Sequence, residues 1–334
     1  MLYIRVDMND KIATGHVMRC LAVADAARMK GEDTTFILAD WQAVELLRQR
    51  GYEFVVLHSQ WDDMEGELFE LQRVIDKYQM KRLLIDSYQV TERYLKALKE
   101  CVEIFYIDDL NAFHYPVDAI ICYANYWEKF QYEAHYKNEK LFLGTQYMPL
   151  KKAFLNCEKK QIKPQIENIL LLSGGTDPYD ILDSILQRME RDKYQKIEVI
   201  CGIYYPKYKS LCQKYAEHKN ISIRRGVPNI EDYMREADLA VSAGGTTLYE
   251  LCAVGTPAIS YSIADNQLEN VKKFEEDRLI AYAGDVRKDH VIDQIIDYLK
   301  IYDLNWQIRQ ERSLQMQKLV DGKGALRIAS ALMD

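Results

Sequence analysis

The chain of 334 residues reads as an α/β protein built from two doubly wound halves, and three observations predict it. Short apolar or β-branched runs alternate with segments of helical periodicity, the pattern that builds a parallel sheet with helices on its faces. The alternation restarts after a polar, lysine-containing stretch, residues 151–163. The length also exceeds the roughly 250–300 residues at which a single core usually stops growing.

The elements follow in order. Leu2 to Val6 is a strand, Asp7 to Thr14 a polar loop, and Gly15 onward a helix with Val17, Leu21 and Ala24 on one face. Thr34–Leu38 is a strand, Trp41–Arg50 a helix ended by Gly51, and Glu53–Leu57 a strand. Met64–Tyr78 has helical spacing, Arg82–Ile85 is a strand closing on Asp86-Ser87-Tyr88, and Thr91 caps a helix through Leu98. Cys101–Ile107 is a strand ending at Asp108-Asp109, after which 120–136 loosens into an aromatic segment suited to a sugar site, a domain interface or partial burial beneath a loop. The predicted division is 1–153 and 154–334. In the second half Ile169–Leu172, Ile197–Cys201, Ile221–Arg225, Asp238–Ser242 and Pro257–Tyr261 are strands separated by helical segments, and Leu304–Asp334 is helical. Two similar halves are expected to flank one cleft.

The formal charge of -7 argues against nucleic acid or an anionic membrane as the main partner. Seven scattered cysteines, without a C-x-x-C pair or histidines at ligand spacing, fit a reducing cytoplasm and no metal centre. No stretch approaches eighteen uninterrupted apolar residues, so no membrane span is expected.

His16, on the first turn of the first helix and after Gly15, is the leading candidate base. It follows a strand end, where open sheets bind ligands. The helix dipole and Arg19 favour its neutral form, and Asp7 across the loop is placed to orient the ring. Asp86, Tyr88 and Asp108, at neighbouring strand ends, either share that crevice or act as caps and core hydrogen-bond groups. Two Gly-Gly-Thr loops, Gly174-Gly175-Thr176 and Gly244-Gly245-Thr246, each join a strand to a helix and suit a diphosphate. Neither fits a P-loop or a dinucleotide fingerprint. Thr246 or Thr247 on phosphate with Glu250 on ribose competes with a capping box of Thr247 and Glu250. Asn266 and Gln267 offer amides to a sugar, or a helix cap.

Taken together, Arg5-x-Asp7, Gly15-His16-x-x-Arg19, Leu84-Ile85-Asp86-Ser87-Tyr88, Ile107-Asp108-Asp109, Ser173-Gly174-Gly175-Thr176-Asp177 and Asn266-Gln267 resemble a known family. It is the UDP-2,4-diacetamido-2,4,6-trideoxy-β-L-altropyranose hydrolases of the pseudaminic acid pathway, and the SpsG-like spore-coat polysaccharide proteins look similar. The second half alone resembles GT-B glycosyltransferases, including the peptidoglycan enzyme that transfers N-acetylglucosamine. The resemblance implies a GT-B fold of two Rossmann-like domains, nucleotide held mainly by the second, and neither metal nor cofactor. It carries catalysis to His16 and Asp7, an aromatic sugar contact to Tyr88 and a site asparagine to Asn266. Arg5, Gly15, Arg19 and Gln267 join them as substrate-binding residues; Gly174, Gly175, Thr176, Gly244, Gly245, Thr246, Thr247 and Glu250 form the expected UDP site. The family tends to show Ile-Gly-x-Gly-His, where this chain has Ala13 in place of the first glycine. The expected activity is metal-independent, inverting hydrolysis at C1 of a UDP-sugar. The alternatives are an inverting GT-B glycosyltransferase and a nucleotide-sugar-binding subunit without turnover.

Overall fold

The computed structural model describes every residue except 10, 13 and 289, so the Ala13 departure lies outside the described residues. It divides into two compact units, Met1–Leu155 with Gly322–Asp334, and Asn156–Asp321.

The first unit carries seven strands: β1 (Leu2–Val6), β2 (Thr34–Leu38), β3 (Glu53–Val56), β4 (Arg82–Asp86), β5 (Glu103–Ile107), β6 (Ala119–Cys122) and β7 (Lys140–Leu143). Its helices are α1 (Gly15–Met29), α2 (Val44–Gln49), α3 (Leu68–Tyr78), α4 (Glu92–Lys99) and α5 (Tyr132–His135). The sheet order is β3-β2-β1-β4-β5-β6-β7, with every pairing parallel. The winding direction reverses between β1 and β4, so the crevice at a topological switch point opens at their carboxyl ends. Thr91 accepts the N–H of Tyr94 at 3.1 Å, the cap expected for α4.

The second unit carries β8 (Asn168–Leu172), β9 (Lys196–Cys201), β10 (Ile221–Arg225), β11 (Leu239–Ala243), β12 (Ala258–Ser262) and β13 (Ala281–Asp285). Its helices are α6 (Ile181–Arg188), α7 (Tyr208–Lys214), α8 (Ile230–Glu236), α9 (Thr247–Val254), α10 (Leu268–Glu276), α11 (Val291–Leu304) and α12 (Trp306–Leu319). The order is β10-β9-β8-β11-β12-β13, again parallel, with its reversal between β8 and β11. No helix among the described residues is long and apolar enough to cross a membrane.

The structure decides two matters that the sequence leaves open. The final helix, α13 (Gly324–Met333), belongs to the first unit and packs on α1; the sequence divides the chain at 153/154 and leaves open whether its terminal helices stay with their own half or cross back. That covering explains why α1 is apolar nearly all round, with Val17, Cys20, Leu21, Ala24 and Ala27 buried. The aromatic segment is mostly core: β6 begins it, and Tyr123, Tyr126, Tyr132 and Tyr136 are all buried. β6 and β7 escaped the sequence reading because each has only four residues and no turn signal separates β6 from the aromatic run.

The return of α13 depends on close backbone approach. A Cβ on Gly324 would lie 2.1 Å from the Met148 carbonyl oxygen, a contact that only backbone movement relieves. Gly324→Ala is therefore expected to destabilise the chain by about 1–3 kcal/mol in urea unfolding, the usual cost of overpacking; unchanged stability would show that α13 is not seated this way.

Candidate active site

β1 ends at Val6, and Asp7 turns the chain off the sheet. Asn9 Oδ1 accepts the N–H groups of Lys11 and Ile12, each at 2.9 Å, which closes the polar loop before α1. His16 thus stands on the first turn of α1, and Asp86 ends β4 directly beside Val6 in register. The two meet at the switch point: His16 Nδ1 lies 2.6 Å from Asp86 Oδ1.

Arg19, one turn further along α1, grips the same carboxylate with two prongs, Nε to Oδ2 at 2.6 Å and Nη2 to Oδ1 at 2.5 Å. Burial pushes the Asp86 carboxyl up, but Arg19 and then His16 outweigh it and hold the group well below the usual carboxylate range. An ionised Asp86 requires the proton on Nδ1, although Arg19 Nη2 also approaches that nitrogen at 3.0 Å. The network therefore fixes the tautomer. Among the described residues Nε2 has no hydrogen-bond partner, and it is the nitrogen left basic.

The frame extends outward from Arg19. Its Nη1 donates to Asp109 Oδ2 at 3.1 Å and to the Tyr123 hydroxyl. Tyr88 and Tyr123 also donate to Asp109 Oδ2, at 3.1 and 3.0 Å, and the Tyr88 ring meets His16 edge-on with centroids 4.6 Å apart. Asp7, Ile12, His16, Trp61, Asp86, Ser87, Tyr88 and Gln89 line a small pocket of about 10 Å³, room for roughly one water molecule.

Several assignments change. Asp7 does not orient His16: its Oδ1 accepts the Ala39 N–H at 2.8 Å and its Oδ2 is paired with Arg5, so Asp86 has the orienting position. Arg5 is fully buried on Asp7 and Glu67, with Nε and Nη2 reaching Glu67 at 2.7 and 2.6 Å, and no face of it is left for substrate. Arg19 is likewise committed to Asp86 and Asp109. Asp108 belongs to a turn and the core, receiving the hydroxyls of Tyr115 and Tyr132 and the N–H groups of Leu110 and Asn111. Tyr88 and Asp7 do reach the pocket, and a Cβ on Gly15 would meet nothing within 4 Å among the described residues. Asp109 stands in one of the motifs that carry the resemblance and Tyr123 in the aromatic segment, but neither is assigned to the site by the sequence, and Trp61 has no signal beyond lying after a strand.

In the second unit both Gly-Gly-Thr loops sit at its switch point, after the paired strands β8 and β11. They differ in what the following helix offers. Asp177 accepts the N–H groups of Ile181 at 2.9 Å and Leu182 at 3.0 Å, so the start of α6 already holds a carboxylate. Gly174 and Gly175 are exposed, and Gly174 needs its positive φ of 76°. α9 starts at Thr247, directly after the Gly244-Gly245-Thr246 loop, and its N-cap Thr246 makes no side-chain cap. The first-turn amides of α9 fit an anion better than those of α6. Asn270 donates to the Gly244 carbonyl at 2.9 Å and Gln267 accepts the Ile263 N–H at 2.9 Å, which steadies this loop, while Asn266 is exposed. Among the described residues no three His, Cys, Asp or Glu side chains gather as metal ligands.

Residues 169–319 match the Glycosyltransferase family 28 C-terminal domain. The spore coat polysaccharide biosynthesis protein SpsG of Bacillus subtilis is 23% identical over 333 residues, 96% of this chain and 94% of its own length. The uncharacterized protein MJ1062 of Methanocaldococcus jannaschii is 22% identical over 267 residues, 76% of this chain; the match spans about half, 54%, of that relative. A Campylobacter jejuni transferase named for UDP-N-acetylglucosamine and an undecaprenol-linked acceptor is 31% identical over 131 residues, 36% of this chain and 37% of its own. Acinetobacter baumannii MurG superposes with a TM-score of 0.72 at 14% identity, covering 100% of this chain and 99% of its own. The fold is GT-B, two Rossmann-like units with parallel sheets of seven and six strands.

Asp86 yields a stability test. Its folded carboxyl titrates below the unfolded value of about 3.9, so its contribution is complete above that pH and is lost as the pH falls below it. Asp86→Asn takes away the two-pronged partner of buried Arg19 and leaves it only Asp109 as counter-charge, and is expected to cost about 3–5 kcal/mol in urea unfolding at pH 7. The variant is also expected to lose less further stability than the parent between pH 4 and pH 2; parallel curves would remove Asp86 from this role.

Proposed function

We propose that the chain displaces UDP from C1 of a UDP-sugar with inversion, in the biosynthesis of a surface polysaccharide, with His16 as general base. The observation that carries this is the imidazole whose Nδ1 is held by ionised Asp86 while Nε2 stands unpartnered at a pocket. Nε2 takes the proton of an incoming O–H as its oxygen bonds to C1; the bond from C1 to the phosphate oxygen breaks, and UDP leaves with the electron pair. Asp86 holds the tautomer and the ring direction without itself taking the proton. The diphosphate is assigned to the loop of Gly244, Gly245 and Thr246 and the start of α9, with Thr247 beside it and Glu250 on the ribose. Gly174, Gly175 and Thr176 contribute loop amides, and Asn266 and Gln267 sugar contacts.

Two nucleophiles fit this chemistry. The match to a glycosyltransferase domain and the transferases among the relatives support a sugar hydroxyl better than the hydrolysis expected from the sequence. Water is favoured by a specific observation, the pocket at His16, which has room for about one such molecule. The full-length similarity to SpsG supports the polysaccharide setting. The hydrolytic form of the proposal takes a UDP-linked 2,4-diacetamido-2,4,6-trideoxy sugar as substrate, on the ordered residues from Arg5 to Gln267.

Screening UDP-sugars for UDP release separates the two: release in buffer alone means hydrolysis, and release only with an added sugar acceptor means transfer. With either nucleophile His16→Asn is expected to lower turnover by ~10²–10⁴-fold while UDP still binds. A variant that keeps most of its turnover would remove His16 from the mechanism. In ¹⁸O-water the hydrolytic reaction puts label in the sugar; label in UDP would mean attack at phosphorus.

A further inference from the structure

We propose that Trp61 is the specificity-determining wall of the His16 pocket, limiting the nucleophile to water; this rests on the displacement at C1 argued above. His16 and Asp86 are among the residues that line the pocket, whose volume is about 10 Å³. Of the other lining residues, Tyr88 is held through Asp109, Asp7 through Ala39 and Arg5, and the backbone at Ile12 through its N–H to Asn9. Trp61 is the largest side chain of the lining, and it makes no hydrogen bond among the described residues. It is half-buried, and Lys11 Nζ lies 5.7 Å from its ring centroid.

The loop that carries Trp61 is tied down on both sides of it. Ser59 N–H donates to the Ala39 carbonyl at 3.0 Å, Ser59 Oγ to Glu67 Oε2 at 3.0 Å, and Asp63 N–H to the Gln60 carbonyl at 3.1 Å. Glu67 is in turn clamped by Arg5 and by the Tyr94 hydroxyl at 2.8 Å. The buried Arg5 therefore acts on the pocket indirectly, by holding the segment that places the indole. A rigid wall against a one-water space discriminates by size: each added methylene or methyl that does not fit costs roughly 10–200-fold. Truncating the indole enlarges the space without unpairing any buried polar group, so His16, Asp86 and Arg19 keep their geometry.

The test is a product ratio, which is independent of the absolute rate. The parent, Trp61→Ala and Trp61→Phe are each given the panel of UDP-sugars in buffer containing methanol, and free sugar and methyl glycoside are quantified beside UDP. For the alcohol, oxygen bonds to C1, its proton passes to Nε2 and UDP leaves, so one methyl glycoside accounts for one UDP. The parent is expected to give almost only free sugar, Trp61→Ala to raise the methyl glycoside share about tenfold or more, and Trp61→Phe to fall between. Equal shares in parent and Trp61→Ala, with UDP released by both, would overturn the role of Trp61 while leaving the displacement reading intact. Efficient transfer by the parent to a sugar acceptor would overturn it too. UDP release from no donor, with or without acceptor, would overturn the displacement reading and this inference together.

Discussion

A carboxylate shut away from solvent must be neutralised by something, and in the first unit Asp86 is neutralised by Arg19 and steadied by His16. Unpaired, it would be prohibitively costly to bury; the two-pronged guanidinium makes it tolerable and in the same stroke sets the rotation of α1 against β4. Because His16 and Arg19 lie one turn apart on α1, one carboxylate at the end of β4 fixes both. The imidazole has little freedom left: one nitrogen is occupied and its ring edge is met by Tyr88, which is itself held by Asp109. Preorganisation of this kind lowers the cost of aligning a base with its proton donor.

A second buried network stands behind the first. Arg5 joins Asp7 to Glu67, Tyr94 and Ser59 close on Glu67, and Ala39 closes on Asp7, so that three loops leaving the sheet share one polar knot. The second unit repeats the placement with different chemistry. There the switch point presents exposed glycines and the start of a helix instead of a base, a surface for accepting an anion.

Much of the fold was legible because it depends on periodicity. The strand-loop-helix junction at His16, the repeated βα alternation and the position of both Gly-Gly-Thr loops all follow from local pattern. What was not legible depends on partners distant in sequence. Asp7 is close to His16 along the chain, yet the partner is Asp86, 70 residues away. Arg5 has the composition of a ligand contact and turns out to be structural, since only the fold brings Glu67 beneath it. Asp177 follows a phosphate-like loop, but its own carboxylate occupies the helix end. β7 and the seat of α13 are not legible for a related reason: a four-residue strand and a helix that returns to the other unit are decided by tertiary contact.

The return of α13 also bears on synthesis. The first unit is discontinuous, with the whole second unit inserted between Leu155 and Gly322. Domains on a ribosome ordinarily complete themselves in the order they emerge. Here the stretch holding His16 and Arg19 is translated early but keeps one face of α1 uncovered until α13 has left the exit tunnel, by which time the inserted unit has all of its strands. The nascent chain thus carries an exposed apolar helix through most of its elongation, and the unit translated second is the one able to finish first.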